Sequence, residues 1–182
     1  MRAVFLDRDG VINEDRDDYV KNVGELRVYP CAPESIKRLN EAGYLVVVVS
    51  NQQGVAKGLI SEADLLEIED EITRQVQAVG GRIARFYYCK HMASEGCICR
   101  KPRPGMLLSA AKDFGIDLSQ SAIVGDTVKD VLAGKSAGCK TVLVLTGGVP
   151  RDDVANLPCA PDFVADNLAG AADYLIGRNP LP

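Results

Sequence analysis

Short apolar runs alternate along the chain with longer stretches whose apolar positions recur at helical spacing. Ala3 to Leu6, Leu45 to Val49, Arg85 to Tyr88, Ala122 to Val124, Thr141 to Leu145 and Phe163 to Val164 read as strands. Several of these runs are apolar throughout, which suits parallel strands covered on both faces. Helical patterns fill the intervals. Pro33 to Glu41 carries proline in its first turn and stops before Gly43, and Ser61 to Val79 opens on a cap-like Ser-Glu-Ala-Asp and stops at Gly80. Pro104 to Phe114, Val128 to Ala137 and Asn167 to Ile176 each end at a following glycine. The alternation predicts an α/β fold, a doubly wound (Rossmann-like), mostly parallel sheet. It places one domain over residues 1–177 and a loose tail over 178–182. The intervals hold one or two helices each, which leaves no room for a large cap domain.

Composition narrows the classes. Of 182 residues, 47% are hydrophobic and 25% charged, as in an ordinary globular chain. The formal net charge of -4 argues against a nucleic-acid partner, whose coating surface needs clustered Lys and Arg. The longest apolar stretch, Tyr44 to Val49, falls far short of a membrane helix, and Met1 to Leu6 is no signal peptide. The expectation is a cytoplasmic protein without a membrane partner. No contiguous apolar stripe demands a second copy, so a monomer is expected.

The chemistry starts at the first strand, which runs into Asp7-Arg8-Asp9-Gly10. In extended geometry, positions i and i+2 face one way, so both carboxylates could point into the crevice at the carboxyl ends of the strands. Two carboxylates so close need a cation or a proton between them, and magnesium is a hard, oxygen-seeking ion of the right kind. Asp7 could then attack phosphorus, and Asp9 could protonate a leaving oxygen and later deprotonate water. The plainer reading is a solvated acidic turn.

Other strand ends reach the same rim. Ser50 and Asn51 follow the second strand, and Asp126 follows the fourth, able to supply a third carboxylate. Lys101 offers a compact charge for phosphate oxygens. Surface charge is the alternative for Arg100 and Lys101, and a helix N-cap for Asp126.

Three of the six cysteines, Cys89, Cys97 and Cys99, surround the single histidine, His91. Four such ligands suit tetrahedral zinc in a structural role, pinning the 89–99 loop that leads into Arg100 and Lys101. Buried small residues beside an ordinary histidine are the alternative. Cys31, Cys139 and Cys159 read as packing residues.

These motifs resemble a known family. Asp7-Arg8-Asp9-Gly10, Val48-Val49-Ser50-Asn51, Arg100-Lys101-Pro102 and Val124-Gly125-Asp126 with Asp130 resemble, in order, the four motifs of haloacid-dehalogenase (HAD) superfamily phosphatases. The resemblance implies a HAD-like fold with Asp7 as nucleophile, Asp9 as acid/base, Ser50 holding the phosphoryl group and Lys101 neutralising it. It implies Mg2+ on Asp7, Asp9 and Asp126.

The Cys-His loop before Cys-Arg-Lys-Pro is similar to the zinc loops of D-glycero-D-manno-heptose-1,7-bisphosphate 7-phosphatases and histidinol-phosphate phosphatases. The stretches 51–58 and 100–108 look like the heptose enzymes. The short spacer from His91 to Cys97 looks like the histidinol ones, and Thr127 stands where some heptose enzymes carry lysine. The implied activity is hydrolysis of the 7-phosphate of a heptose 1,7-bisphosphate, a small phosphorylated sugar. Histidinol phosphate or another sugar or polyol phosphate is the alternative. Asp15, Tyr19, Asn51, Gln52, Gln53 and Arg100 are the implied substrate contacts. A non-catalytic phospho-ligand module fits less well, because a receiver's phosphoacceptor follows a later strand. A nucleic-acid 3′-phosphatase is disfavoured by the acidic balance and the 5% aromatic content.

Overall fold

A computed structural model describes residues 1–177. The tail expected over 178–182 lies outside the described residues. The strands are β1 (Ala3–Leu6), β2 (Leu45–Asn51), β3 (Arg85–Cys89), β4 (Ala122–Gly125), β5 (Lys140–Val144) and β6 (Phe163–Ala165). The helices are α1 (Ala32–Glu41), α2 (Gln53–Ala56), α3 (Glu62–Ala78), α4 (Gly105–Phe114), α5 (Val128–Ala137) and α6 (Leu168–Leu175). The predicted elements are all present with ends shifted by a residue or two. The four-residue α2 and three 3-10 turns are additions, too short for a periodic pattern to show.

The strands form one sheet in the order β3-β2-β1-β4-β5-β6, and every pairing is parallel. Alternation along β1 and β2 divides the core. Val4, Leu6, Val46 and Val48 pack with Ile36 and Leu39 of α1, Ile68 and Ile72 of α3, and Ala171 of α6. Ala3, Phe5, Val47 and Val49 pack on the opposite face with Met106, Leu107 and Ala110 of α4 and Ala133 of α5. Both faces are thus covered, which is why these strands read as unbroken apolar runs. No helix among the described residues is long and apolar enough to cross a membrane.

After β1 the chain builds outward through β2 and β3, then returns to place β4 on the other side of β1. That reversal opens a crevice at the carboxyl ends of β1 and β4, where open α/β sheets bind ligands. The Asp7 N–H donates to Val124 O at 3.0 Å, so the exits of the two strands are tied together.

Candidate active site

β1 ends at Leu6, and the chain coils at once. The Arg8 carbonyl accepts from the N–H groups of Val11, Ile12 and Asn13 at 3.3, 2.8 and 3.1 Å. Gly10 has φ +77°, and a Cβ there would lie 2.4 Å from Asp126 Oδ2. Glycine is required by conformation and by space. Gly147 packs on the other side of the same carboxylate, where a Cβ would lie 2.1 Å from Oδ2. The Gly148 N–H donates to that oxygen at 2.7 Å. Asp126 is held between two glycine-bearing loops at the end of β4.

Thr127 is the N-cap of α5, in a capping box with Asp130, so Asp126 is not the cap. The Thr127 hydroxyl donates to Asp130 Oδ2 at 2.7 Å, while Asp130 Oδ1 accepts from Lys101 Nζ at 2.6 Å. Lys101 Nζ also donates to Val49 O at 2.8 Å and pairs with Asp7 Oδ2 at 2.9 Å. All three ammonium hydrogens are engaged. Burial opposes the charge on Lys101, but Asp130 and Asp7 outweigh it and raise the ammonium above its ordinary value. Lys101 is therefore a fixed cation, not surface charge. Its backbone is clamped too, since Asn51 bonds both the N–H and the carbonyl of Lys101 at 3.1 Å.

Carboxylate oxygens of Asp7, Asp126 and Asp130 lie within 4.8 Å of one another, a hard oxygen set suited to a divalent cation. The Asp9 side chain is not part of this cluster, whereas Asp130 joins it beside the expected Asp7 and Asp126. The extended geometry that would align positions 7 and 9 stops with β1. The Asp9 carboxylate turns to Arg8, Asn13 and Gln52 instead. It still lines the cleft, about 390 Å³, together with Asp7, Asp15, Tyr19, Ser50, Asn51, Gln53, Arg100, Lys101 and Asp126.

Gln52 is buried and outside the lining, with its amide donating to Asp9 Oδ2 at 2.7 Å and Ser50 Oγ at 3.1 Å. In this arrangement it braces Asp9 and Ser50 from beneath the cleft. Arg100 Nη2 donates to Gln53 Oε1 at 2.9 Å, and Lys57 Nζ donates to Tyr19 OH at 2.8 Å.

Burial pushes Asp7 up to about 6, with Lys101 opposing and Asp130 adding to the rise. Burial, then Asp7 and Asp130, push Asp126 up to about 8. Both shifts are upward, so the stability these groups contribute is present below the ordinary value near 3.8 and is lost as pH rises through about 6 and about 8. In chelator, the melting temperature is expected to fall between about pH 5 and about pH 8.5. Excess magnesium should remove most of that fall, because a cation binds the ionised carboxylates of the folded state. A pH dependence that magnesium leaves unchanged would count against a cation at this cluster.

The 89–99 loop carries the second group. Cys99 Sγ lies 3.3 Å from Cys89 Sγ, 3.5 Å from Cys97 Sγ and 3.2 Å from His91 Nδ1. The cysteines are free thiols, and these spacings are near the ~3.8 Å edge of a tetrahedron with ~2.3 Å zinc–sulfur bonds. Burial and the neighbouring thiols push Cys99 up to about 12, a crowding that a soft cation relieves. Arg103 Nη1 bonds the carbonyls of Gly96 and Cys97, and Arg100 Nη1 reaches His91 O at 3.5 Å. The loop is thereby joined to the cleft.

Residues 98–171 match the family described as HAD-hydrolase-like. The chain is 40% identical over 173 residues to the D-glycero-beta-D-manno-heptose-1,7-bisphosphate 7-phosphatase of Pseudomonas aeruginosa, covering 95% of this chain and 97% of that one. The chain belongs to the HAD-like phosphatase family. A Neisseria meningitidis protein of the same name is 35% identical, covering 100% of this chain and 98% of its own. The crystal structure of D,D-heptose 1,7-bisphosphate phosphatase from B. bronchiseptica, complexed with magnesium and phosphate, superposes with a TM-score of 0.91 at 37% identity. It covers 98% of this chain and 100% of that one. As a HAD-like phosphatase, the chain is a phosphoric monoester hydrolase.

Arg8, Asn13 and Asp130 complete the site; Asp130 stood in the fourth motif of the sequence, whereas Arg8 and Asn13 were not among its assigned site residues. Asp130 was legible as the fourth residue after Asp126. Arg8 had no signal beyond a charged residue next to a buried strand.

Proposed function

We propose that the chain is a magnesium-dependent phosphatase that removes the 7-phosphate of D-glycero-D-manno-heptose 1,7-bisphosphate through an aspartyl-phosphate intermediate. The convergence of Asp7, Lys101, Asp126 and Asp130 at one rim of the sheet carries this reading. Asp7 is oriented from both sides, by the Arg8 N–H on Oδ1 at 2.7 Å and by Lys101 on Oδ2 at 2.9 Å. It attacks phosphorus along a path its neighbours have fixed. Lys101 supplies a fixed positive charge, and Ser50 a hydroxyl, beside the place the transferred group takes up. Asp9 protonates the departing sugar hydroxyl and then takes a proton from the water that cleaves the aspartyl phosphate. Magnesium, when bound by Asp7, Asp126 and Asp130, neutralises charge on the carboxylates and the phosphoryl oxygens.

Substrate choice falls to the cleft loops, with Asp15, Tyr19, Gln53 and Arg100 as the contacts. Support for the bisphosphate comes from the relatives, whose names also specify the β anomer. The same reading includes structural zinc on Cys89, His91, Cys97 and Cys99, at about one ion per chain. A single catalytic domain acting as a monomer belongs to it, as does a cytoplasmic location suited to six cysteines outside any disulfide.

Phosphate release on the two bisphosphate anomers and on histidinol phosphate tests the assignment. The β anomer is expected to give a kcat/KM about 100-fold above histidinol phosphate, of the size expected when a charged contact is gained. Equal or better turnover of histidinol phosphate would refute the heptose reading and leave the phosphoryl chemistry intact.

A further inference from the structure

Asp9, the acid/base of the proposed reaction, is gripped by donors that the chemistry above does not use. Arg8 is fully buried, and its guanidinium folds back as a fork onto its neighbour. Nε lies 3.1 Å from Asp9 Oδ1, and Nη2 lies 2.8 Å from Oδ1 and 2.9 Å from Oδ2. Asn13 Nδ2 donates to Oδ1 at 2.9 Å, and Gln52 Nε2 to Oδ2 at 2.7 Å. Asn13 is 0% exposed and Gln52 1%. Three buried side chains thus converge on the two Asp9 oxygens, while the carboxylate stays 21% exposed at the cleft.

A buried ion pair is a weak source of stability, because apolar residues of similar volume often serve a fold as well. This one also leaves Arg8 Nη1 and Gln52 Oε1 buried without partners, a cost with no return in stability. What the network does provide is rigidity, since buried charge-assisted bonds hold one geometry. The turn that bears Gly10 is wound on the same residue, through the three N–H groups that meet the Arg8 carbonyl. Gln52 extends the network to Ser50 through its second contact at 3.1 Å.

We propose that Arg8 is a positioning residue for Asp9, with Gln52 as a second arm, and that the buried fork sets the line along which Asp9 exchanges its proton. The proposal rests on the reading of Asp9 as acid/base. In the first half-reaction, the Asp7–phosphorus bond forms and the phosphorus–ester oxygen bond breaks, while the proton on Asp9 moves to that oxygen. In the second, water oxygen bonds to phosphorus and the Asp7–phosphorus bond breaks, while the water proton returns to Asp9. Both transfers need the same carboxylate orientation, and an error of about 1 Å in such a group is costly.

The test compares two leaving groups. A sugar phosphate expels an alkoxide that must be protonated, whereas p-nitrophenyl phosphate expels a phenolate that leaves without a proton. The readout is the ratio of kcat/KM on the sugar phosphate to kcat/KM on the aryl phosphate, which a general loss of fold or affinity does not move. Arg8→Met is expected to lower that ratio about 100-fold, within the range for losing general-acid assistance. Arg8→Lys, which keeps the charge but not the fork, should recover little of it. Gln52→Leu keeps Arg8 in place and should lower the ratio about 10-fold, the low end for a group acting through one hydrogen bond. It decides the matter if the Arg8 variants do not melt cooperatively. Asp9→Asn separates the two readings. If it leaves the ratio unchanged, Asp9 is not the acid and the underlying reading fails. If it lowers the ratio while every folded Arg8 and Gln52 variant leaves it at the wild-type value, or if Arg8→Lys restores it fully, the positioning role of the fork is overturned.

Discussion

Asp7→Asn is expected to abolish phosphate release, by at least about 10⁴-fold, because the nucleophile is removed and no neighbour can replace it. Asp126 and Asp130 approach the same cluster. However, Asp126 is clamped by the Gly148 N–H and Asp130 by Thr127 and Lys101, so neither can reach a phosphorus placed for Asp7. The variant should remain folded. Burial raises Asp7 to about 6, which means that its ionised form is disfavoured on balance where no cation is bound. An uncharged isostere should therefore melt no lower than the wild type in chelator at about pH 8. Retained turnover would remove the covalent mechanism, whereas a collapsed fold would mean that Asp7 is structural.

Lys101→Met is expected to damage both activity and stability. Lys101 is 2% exposed, and it holds Asp7, Asp130 and the Val49 carbonyl with its three hydrogens. Methionine fills the volume but leaves two carboxylates and a carbonyl without their donor. Removing one partner of a buried pair costs about 3–5 kcal/mol. Turnover should fall about 10³-fold as well, as when a preorganised charge at a developing anion is lost. The stability loss should be smaller in magnesium, because a cation at Asp7 and Asp130 supplies part of the missing charge. Urea unfolding with and without magnesium reads this directly. A variant as stable as the wild type in chelator would show that the lysine contributes nothing to holding the cluster.

The fold was open to reading because its strands are covered on both faces. Val46 to Val49 announces a buried parallel strand with no help from context, and glycines close the helices where expected. Residues at strand ends were also legible, since a polar side chain after an apolar run lies at the rim whatever the tertiary detail. This is how Asp7, Ser50 and Asp126 were found. Sequence spacing does not give the hydrogen-bond partners of Asp9 and Gln52, because the backbone leaves regular geometry there. The rule that placed Asp9 beside Asp7 requires an extended chain, and the coil around the Arg8 carbonyl ends that extension. Gln52 had the composition of a ligand contact, but its backbone N–H is drawn to the Cys89 carbonyl at 2.8 Å and its side chain turns inward. The Cys-His loop could be read from side-chain chemistry alone, because three cysteines and a histidine in eleven positions have few other uses. Its link to the cleft through Arg100 could not, since that bond goes to the His91 backbone carbonyl.

The measurement that bears most directly on the central claim uses Asp9→Asn with p-nitrophenyl phosphate and magnesium. This leaving group needs no acid, so Asp7 can still be phosphorylated, while water attack on the aspartyl phosphate lacks its base. The account predicts a burst of about one nitrophenolate per chain followed by slow turnover. Mass spectrometry of the quenched protein should find one added phosphoryl group on the peptide carrying Asp7. Steady release with no burst and no adduct, or an adduct on another residue, would contradict it.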